Sequence, residues 1–272
     1  MSSTQRPFSS FRLLTFDIYG TLIDWESGVR EALSPITTRL PSDHALKNDW
    51  MALGNAFGRF EKKAQSLYPS LAYPKVLASA YRDLARELLP ETFPNNDDPV
   101  LREESETFGE SVGRWPAFPD TVDAIRRLKR KGYKLIPLSN VDHASFKKTL
   151  TGPLSGAVES GEDPSTFFDA VYTAQDIGSY KPDPRNFDYL ISHIKSDFGV
   201  SKEEILHVAQ SLFHDHEPAK KVGLESVWIA RGEGGKSGMG GNLEEFVKQG
   251  KVGFGWRFST LGEFADAVEK EG

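Results

Sequence analysis

Short apolar runs alternate with helical patterns from residue 118 onward, and this alternation restricts the fold more than any other feature. The runs 133–139 (YKLIPLS), 170–174 (AVYTA), 205–209 (ILHVA) and 226–230 (SVWIA) are each flanked by turn or helix signals. Runs of this length and composition are typical of strands buried on both faces of a parallel sheet. Residues 11–17 (FRLLTFD) are of the same kind. The pattern predicts an α/β fold built on a parallel sheet.

A helical insertion separates the first predicted strand from the others. Residues 26–115 carry helical periodicity and almost no strand character, and breaks rich in Pro and Asn, such as PETFPNNDDPV, separate the helices. We therefore predict a Rossmann-like core formed by residues 1–25 and 116–272, with a helical domain of residues 26–115 inserted into it.

Composition excludes several classes of function. The formal net charge is −6, and we expect no nucleic-acid partner, because such proteins carry clustered Lys and Arg. The absence of cysteine excludes disulfides, thiol catalysis and thiolate metal sites. The first residues lack the apolar core of a signal peptide, and no run reaches the roughly 18 apolar residues of a membrane span. We expect a cytoplasmic protein without a membrane partner.

Polar side chains stand at the carboxyl ends of the predicted strands. Asp17 ends the first strand, Ser139 and Asn140 end the second, Lys181 follows the third, and Asp215 follows the fourth. Each residue alone could cap a turn or a helix. Because ligands of parallel sheets bind outside the carboxyl ends of the strands, the set together predicts a site at that edge.

The order of these segments resembles the four motifs of the haloacid dehalogenase superfamily. The matching segments are DIYGTL, LSN, YKPDP and VAQSLFHDHEPAKKVG. The resemblance covers residues 11–25 and about 118–231, and it places residues 26–115 where the superfamily has its cap domain. It therefore implies a fold in which a helical cap closes over the strand ends.

The resemblance also implies roles for individual residues. Asp17 matches the nucleophile, whose carboxylate forms a covalent ester with the substrate. Lys181 matches the residue that holds this carboxylate ionised and oriented, since a nearby ammonium lowers a carboxyl pKa. Thr21, Ser139 and Asn140 match positions that bind the nucleophile or the negative charge of the substrate.

Tyr19 and Gln210 separate this sequence from the phosphatases of the superfamily. Those enzymes have DxDxT in the first motif and GDxxxxD in the fourth, where the acids serve the leaving group and Mg²⁺. Here Tyr19 and Gln210 replace two of those acids, and Asp215 remains. Because a hard cation needs charged oxygen ligands, we expect no metal site and no cofactor, with Mg²⁺ involved only if the chain is a phosphatase.

The DxYGT form resembles the L-2-haloacid dehalogenase branch. A halide leaves carbon without protonation and without a metal. By this likeness Asp17 displaces halide from a short 2-haloacid, and water near Asp215 and Lys181 hydrolyses the ester. Tyr19 and Gln210 are counted with Thr21, Ser139 and Asn140 as candidate substrate-binding residues.

Three positions depart from the dehalogenase branch. Gln210 and Leu212 replace the Ser and Asn of its fourth motif, and Phe187 replaces a Tyr. The branch also binds halide or carboxylate with an Arg of the cap, for which Arg59 is the best candidate. Two alternatives stay open: a small-molecule phosphatase with a degraded Mg²⁺ site, and a catalytically idle binding protein of this fold.

Further expectations concern the substrate, the assembly and some isolated residues. A cap over the strand ends favours small molecules, and the resemblance implies a homodimer. His214 and His216 are interpreted as structural or surface residues, and His143 as a helix start. The aromatic residues of the insertion are interpreted as its core, and the glycine-dense stretch 231–242 as a surface loop; these aromatic residues include Trp50, Phe57, Phe60, Tyr68 and Tyr73.

Overall fold

The computed structural model describes residues 6–68, 71–232 and 242–271. Its strands are β1 (Leu13–Phe16), β2 (Lys134–Ser139), β3 (Tyr172–Thr173), β4 (Ile205–Ala209), β5 (Glu225–Ile229) and β6 (Trp256–Phe258). They form one six-stranded sheet in the order β3-β2-β1-β4-β5-β6, and every pairing is parallel. The predicted α/β fold is confirmed.

Strand β1 lies at the centre of the sheet. Leu14 is in register with Leu135 of β2 on one side and with Leu206 of β4 on the other, and all residues of β1 are buried. The chain adds β2 and β3 on one side of β1 and β4 to β6 on the other. In such sheets the ligand crevice lies at the carboxyl end of the strands where the order reverses, which is the end of β1.

The helices fall into two groups. The segment between β1 and β2 contains α1 (Trp25–Ala32), α2 (Ser34–Arg39), α3 (Ala45–Asn48), α4 (Trp50–Leu67), α5 (Tyr73–Leu88) and α6 (Pro99–Gly109), followed by α7 (Thr121–Arg130). After β2 come α8 (His143–Thr151), α9 (Ala174–Ile177), α10 (Pro184–Phe198), α11 (Glu217–Val222), α12 (Leu243–Lys248) and α13 (Leu261–Glu271). The described part also contains 3-10 helices at Phe8–Ser10, Glu110–Arg114, Ser155–Ala157, Pro164–Thr166 and Lys202–Glu204, and a π-helix at Leu212–His216.

One apolar cluster joins the sheet to the inserted helices. Phe16 of β1 and Tyr81 of α5 both belong to it. Within the insertion, the ring of Phe108 lies 5.4 Å from that of Phe57 and 5.1 Å from that of Tyr81. The helices of 26–115 therefore pack against the sheet layer through shared apolar surface. The predicted division into a core and a cap domain stays a prediction.

The structure corrects parts of the predicted element pattern. Strand β6 was not predicted, because its three residues alternate between buried and exposed and follow a glycine-rich turn. Strand β3 has two residues instead of the five of 170–174. The glycine-dense segment lies largely outside the described residues, so its loop stays a prediction. Within the described ranges, no helix combines the length and the apolar character needed to cross a membrane.

Gly28 of α1 marks a close contact between the insertion and the segment that returns to the sheet. A Cβ added at Gly28 would lie 2.2 Å from the ring of Trp115, which is a severe overlap. By contrast, a Cβ at Gly54 of α4 would lie 3.5 Å from Trp50, which is an ordinary contact.

We expect Gly28→Ala to lower the free energy of unfolding by about 1–3 kcal/mol, because overpacking outweighs the gain in helix propensity. Gly54→Ala is the matched control, since it adds the same methyl group to a helix without an overlap. Urea denaturation of the two variants measures the difference. Equal stability of both variants would contradict the close packing of α1 against Trp115.

Candidate active site

Asp17 lies in a tight turn that begins directly after β1. Its backbone N–H donates to the carbonyl oxygen of Val208 at 3.1 Å, which extends the pairing with β4 by one residue. Gly20 turns the chain with a φ of 102°, and a Cβ there would come within 3.2 Å of the side chains of Gln210 and Trp25. Glycine is the residue that adopts this conformation without strain. The turn leaves Asp17 at the carboxyl edge of the sheet.

The ammonium of Lys181 lies between two buried carboxylates. It donates to Oδ1 of Asp17 at 2.8 Å, to Oδ1 of Asp215 at 2.7 Å and to the carbonyl oxygen of Leu138 at 2.9 Å. The three donors of the ammonium are therefore matched by three acceptors. Lys181 is 2% exposed, so these interactions are shielded from water.

The second oxygen of Asp17 is held by Thr21. The Thr21 hydroxyl donates to Oδ2 of Asp17 at 2.8 Å and accepts a hydrogen bond from the backbone N–H of Gln210 at 2.9 Å. Arg231, which follows β5, donates from Nε and Nη2 to the carbonyl oxygen of Thr21 at 3.1 and 3.0 Å. The turn that carries the carboxylate is thus fixed from the ends of β4 and β5.

Asp215 is held by a buried histidine as well as by Lys181. His207 Nε2 lies 3.0 Å from Asp215 Oδ1, and His207 Nδ1 lies 2.7 Å from the Thr15 hydroxyl. The other carboxylate oxygen, Oδ2, is fully enclosed and has no hydrogen-bond partner among the described residues. Asp215 therefore has one oxygen engaged and one free.

The pKa values of this cluster follow from burial and from the shared ammonium. Burial raises the pKa of Asp17, Lys181 lowers it and Asp215 raises it again, with a net shift above the ordinary value. Burial also opposes ionisation of Asp215, but Lys181 and His207 hold its pKa below the ordinary value. The two carboxylates outweigh burial and raise the pKa of Lys181.

This result corrects the expected effect of Lys181 on Asp17. The ammonium lowers the Asp17 pKa as predicted, but burial and the second carboxylate reverse the net direction. The physical reason is that one positive charge serves two negative ones, and Asp215 also has His207. Lys181 orients Asp17 and offsets only part of the cost of burying its charge.

Asn140 and Ser139 have different surroundings at the end of β2. The side-chain oxygen of Asn140 accepts from the backbone N–H of Lys181 at 2.6 Å, and its amide donates to the Lys181 carbonyl oxygen at 3.0 Å. Asn140 therefore fixes the backbone that carries the ammonium. The hydroxyl of Ser139 is buried without a partner among the described residues, which leaves it available to a ligand.

Tyr19 turns its hydroxyl away from Asp17. The hydroxyl lies 2.8 Å from that of Thr149 in α8, and the ring meets Trp115 edge-on at a centroid distance of 5.6 Å. Burial raises the pKa of Tyr19. Its ring still lines the cavity at Asp17, so Tyr19 contributes shape to that site, and its hydroxyl serves packing.

A cavity of about 70 Å³ brings most of the predicted residues together. From the sheet side it is lined by Asp17, Tyr19, Ser139, Asn140, Lys181 and Asp215, and from the insertion by Glu61, Lys62, Gln65 and Tyr73. His214 also lines it, in contrast to the surface or structural role predicted for it. Burial lowers the pKa of His214 to about 4, so its ring is neutral at pH 7.

Three predicted residues do not line this cavity: Thr21, which holds Asp17 from behind, Arg59 and Gln210. Arg59 lies one turn before Lys62 on α4, where its guanidinium pairs with Glu87 of α5 at 2.9 Å. Gln210 lies behind the Thr21 turn, with its backbone carbonyl accepting from Trp228 Nε1 at 2.9 Å. The assignments of Arg59 and Gln210 stay predictions, although Arg59 is already paired with Glu87 and the side-chain oxygen of Gln210 lies close to Gly20 in the turn after β1.

Comparison with known proteins gives the family. The profile of the haloacid dehalogenase-like hydrolases matches residues 11–223. The chain belongs to this family. It is 27% identical over 228 residues to an (S)-2-haloacid dehalogenase of Pseudomonas putida, covering 81% of this chain and 85% of the relative. It is 28% identical over 131 residues to a phosphoserine phosphatase of Thermus thermophilus, covering 48% of this chain and 47% of the relative.

The fold agrees with solved structures of the family. The L-2-haloacid dehalogenase of Xanthobacter autotrophicus with chloropropionic acid covalently bound superposes with a TM-score of 0.65. The two share 17% sequence identity, and the match covers 95% of this chain and 98% of that one. This chain is therefore a haloacid dehalogenase-like hydrolase in both sequence and fold.

The donor set of this hydrolase does not fit Mg²⁺. The carboxylates at the cavity edge of the sheet are Asp17 and Asp215, and the Lys181 ammonium already bonds to both. Tyr19 and Gln210, at the positions of the phosphatase acids, offer no charged oxygen. Across residues 6–68, 71–232 and 242–271 no cluster of three or more His, Cys, Asp or Glu side chains is arranged for a metal. We therefore propose that the site works without a metal ion, because Lys181 already offsets much of the carboxylate charge that a hard cation needs.

Sequence reasoning missed three groups that shape the hydrolase site. His207 is hidden in an apolar strand, and Arg231 is visible only as the residue after β5. Glu61 had a signal, because it is an acid in the apolar stripe of α4 formed by Leu53, Phe57 and Ala64. A single acid in such a stripe is either paired or functional.

We expect Lys181→Met to lower the free energy of unfolding by about 3–5 kcal/mol at pH 7, because it leaves two buried carboxylates unpaired. The deficit relative to the wild type should shrink as the pH falls towards 4. In this variant the unpaired carboxyl groups have raised pKa values in the folded state. The loss of unfolding free energy that they cause disappears at a pH where they are protonated in both the folded and the unfolded state. Thermal unfolding across this pH range measures the effect.

The matched control is Lys63→Met, which removes a lysine whose side chain is 58% exposed and pairs with Asp83. Its effect should stay within about 1 kcal/mol, because exposed ion pairs contribute little. A Lys181→Met variant as stable as this control would contradict the buried ion cluster.

Proposed function

We propose that this hydrolase cleaves the carbon–halogen bond of a short 2-haloacid without a metal ion. The observation that carries the proposal is the Asp17–Lys181–Asp215 cluster beside Tyr19, whose hydroxyl pairs with Thr149. A nucleophilic carboxylate is present, and Tyr19 stands where the phosphatases of the family have the acid that protonates an oxygen leaving group. Halide needs no such acid, and the dehalogenase names of the relatives support the same chemistry.

The reaction starts with displacement by Asp17. Its carboxylate attacks the α-carbon of the haloacid, a C–O bond forms as the carbon–halogen bond breaks, and the halide leaves with the bonding electrons. Attack from the side opposite the halide inverts the configuration. The product is an ester of Asp17, which splits one difficult substitution into two easier steps.

Hydrolysis of the ester uses Asp215, which lines the cavity beside Asp17. Water adds to the carbonyl carbon of the Asp17 ester and gives a proton to the Asp215 carboxylate. When the tetrahedral intermediate collapses, the bond to the substrate oxygen breaks and the 2-hydroxy acid leaves with that proton. Asp17 regains its carboxylate as a second proton passes to solvent. Lys181 stays bonded to Asp215 throughout, which keeps that group ionised between turnovers.

Lys62 and Ser139 are suited to bind the substrate carboxylate. Lys62 lines the cavity and forms no ion pair with a described residue; its ammonium lies 5.6 Å from the Phe213 ring. The Ser139 hydroxyl has a free donor. Lys62 thus has the role that the sequence predicted for Arg59, which is to bind the substrate carboxylate. Arg59 lies one helical turn earlier and is already paired with Glu87.

We expect the wild type to release halide from L-2-chloropropionate or haloacetates in the presence of a chelator, and Asp17→Asn to release none. A single turnover in ¹⁸O-labelled water should place the label in the peptide that contains residue 17, because water attacks the ester carbonyl. Halide assays and mass spectrometry measure the two results.

The same panel includes phosphate monoesters with Mg²⁺ to test the phosphatase alternative. Mg²⁺-dependent phosphate release without halide release would favour that alternative. An absence of product and of label at Asp17 would favour an idle binding protein.

We expect Lys62→Met to raise KM for a 2-haloacid about tenfold or more with a smaller change in kcat, because a charge-assisted hydrogen bond is lost. Arg59→Met removes a neighbouring cation that does not line the cavity, so its KM should remain near the wild-type value. Steady-state kinetics of both variants measure the contrast, and the reverse ranking would restore Arg59 as the carboxylate ligand.

A further inference from the structure

Glu61 is a buried acid that the insertion presents to the nucleophile. It lies on α4 among apolar side chains, is 3% exposed, and lines the cavity that also contains Asp17 and Lys181. The reaction described above assigns it no step. Because a buried carboxyl is costly without partners, its contacts need an explanation.

Only one oxygen of Glu61 is engaged. Oε1 accepts from the Tyr73 hydroxyl at 2.7 Å and from the Gln65 amide at 3.3 Å. Oε2 forms no hydrogen bond with a described residue, and it keeps accessible surface, unlike the enclosed Oδ2 of Asp215. Since Glu61 lines the cavity and Oε1 is engaged, Oε2 is the oxygen left to meet a ligand there. The hydrogen bond with Tyr73 uses Oε1 alone, so a purely structural role of Glu61 would not account for Oε2.

The charges around the cavity restrict what Oε2 can bind. Asp17 and Asp215 share the Lys181 ammonium, and Lys62 is the remaining cation among the described lining residues. In the proposed function Lys62 is used by the substrate carboxylate. A second anionic group on the substrate would then face Glu61 without a cation. The group opposite Oε2 should therefore carry no negative charge and be able to form a hydrogen bond.

We propose that Glu61 is a specificity-determining residue that selects substrates carrying a hydroxyl group next to the reacting carbon. A hydroxyl pairs with a carboxyl in either protonation state, as donor to the ionised form or as acceptor from the neutral one. A methyl group at the same place would leave Oε2 without a partner in a dry cavity, which is unfavourable. The substrate class is therefore a 2-halo-3-hydroxy acid, and this inference rests on the proposed function.

The volume of the cavity agrees with a small polar substituent. On the scale on which one water molecule needs about 10–15 Å³, a cavity of about 70 Å³ holds a small ligand of several non-hydrogen atoms. Lys62 lines the same cavity and disfavours a second cation beside Glu61, so an uncharged, hydrogen-bonding partner fits there. Burial raises the pKa of Glu61 against the opposing effects of Tyr73 and Lys62.

The test compares 2-chloro-3-hydroxypropionate with 2-chloropropionate. For the wild type we expect kcat/KM to favour the hydroxylated acid by about ten- to a hundredfold, the effect of one buried hydrogen bond to a charged group. Glu61→Leu should abolish the preference, and Glu61→Gln, which keeps hydrogen-bonding atoms, should retain most of it. An unchanged ratio in Glu61→Leu would overturn the proposal.

Two controls separate selection from stability. Glu87→Leu removes an acid on the outer face of α5 and should leave the ratio unchanged. Tyr73→Phe removes the bond to Oε1 but leaves Oε2 in place, so it should lower stability and keep the preference. If Glu61→Leu does not fold, loss of the preference in Tyr73→Phe would show a structural role and overturn the proposal.

A binding experiment makes the result independent of carbon–halogen chemistry. Calorimetry with Asp17→Asn compares glycerate with lactate, which differ by the same hydroxyl. Tighter binding of glycerate, lost on adding Glu61→Leu, supports the role of Glu61 even if no halide is released and the proposed function fails. Halide release together with equal binding of the two acids, or with binding of neither, would overturn the inference and leave the proposed function standing.

Discussion

The ammonium of Lys181, held between the carboxylates of Asp17 and Asp215, is the interaction on which the rest of the site depends. Without it, two negative charges would be buried a short distance apart, at a cost that the surrounding fold could not offset. With it, one carboxylate stays low in pKa and the other is raised. The unequal pair suits the proposed reaction, in which Asp17 forms and loses an ester bond and Asp215 is an anion whenever it is not carrying the proton of the hydrolytic water.

The fold supplies this interaction from the two strands beside β1. Strand β2 brings the carbonyl oxygen of Leu138 and the Asn140 side chain, which fix the ammonium and its backbone. Strand β4 brings His207, which holds Asp215. The helical insertion adds the opposite wall. The Asp17–Lys181–Asp215 cluster is thus built on the sheet, and α4 carries Glu61 and Lys62, the residues proposed to recognise the substrate.

The sequence was informative where side chains are placed by the end of a strand. Asp17, Ser139, Asn140, Lys181 and Asp215 were predicted to meet because parallel strands end at a common edge, and they line one cavity. It was uninformative where placement depends on how far along a helix the cavity lies. Arg59 and Lys62 are three positions apart on α4, and only the packing of that helix shows which one faces the cavity. His207 was hidden because a buried histidine in an apolar strand leaves no periodic signal.

Both carboxylate oxygens of Asp17 are hydrogen-bonded before any substrate arrives, one by Lys181 and the other by Thr21, whose carbonyl is in turn fixed by Arg231. Such a nucleophile is preorganised: its donors already point where they are needed and do not have to reorient during the reaction. In water, solvent molecules must reorient around the reacting groups during a displacement, which costs free energy. Here much of that cost is covered during folding, when the strands bring the donors and the carboxylate together. The stability of the fold and the reactivity of Asp17 thus depend on the same few bonds.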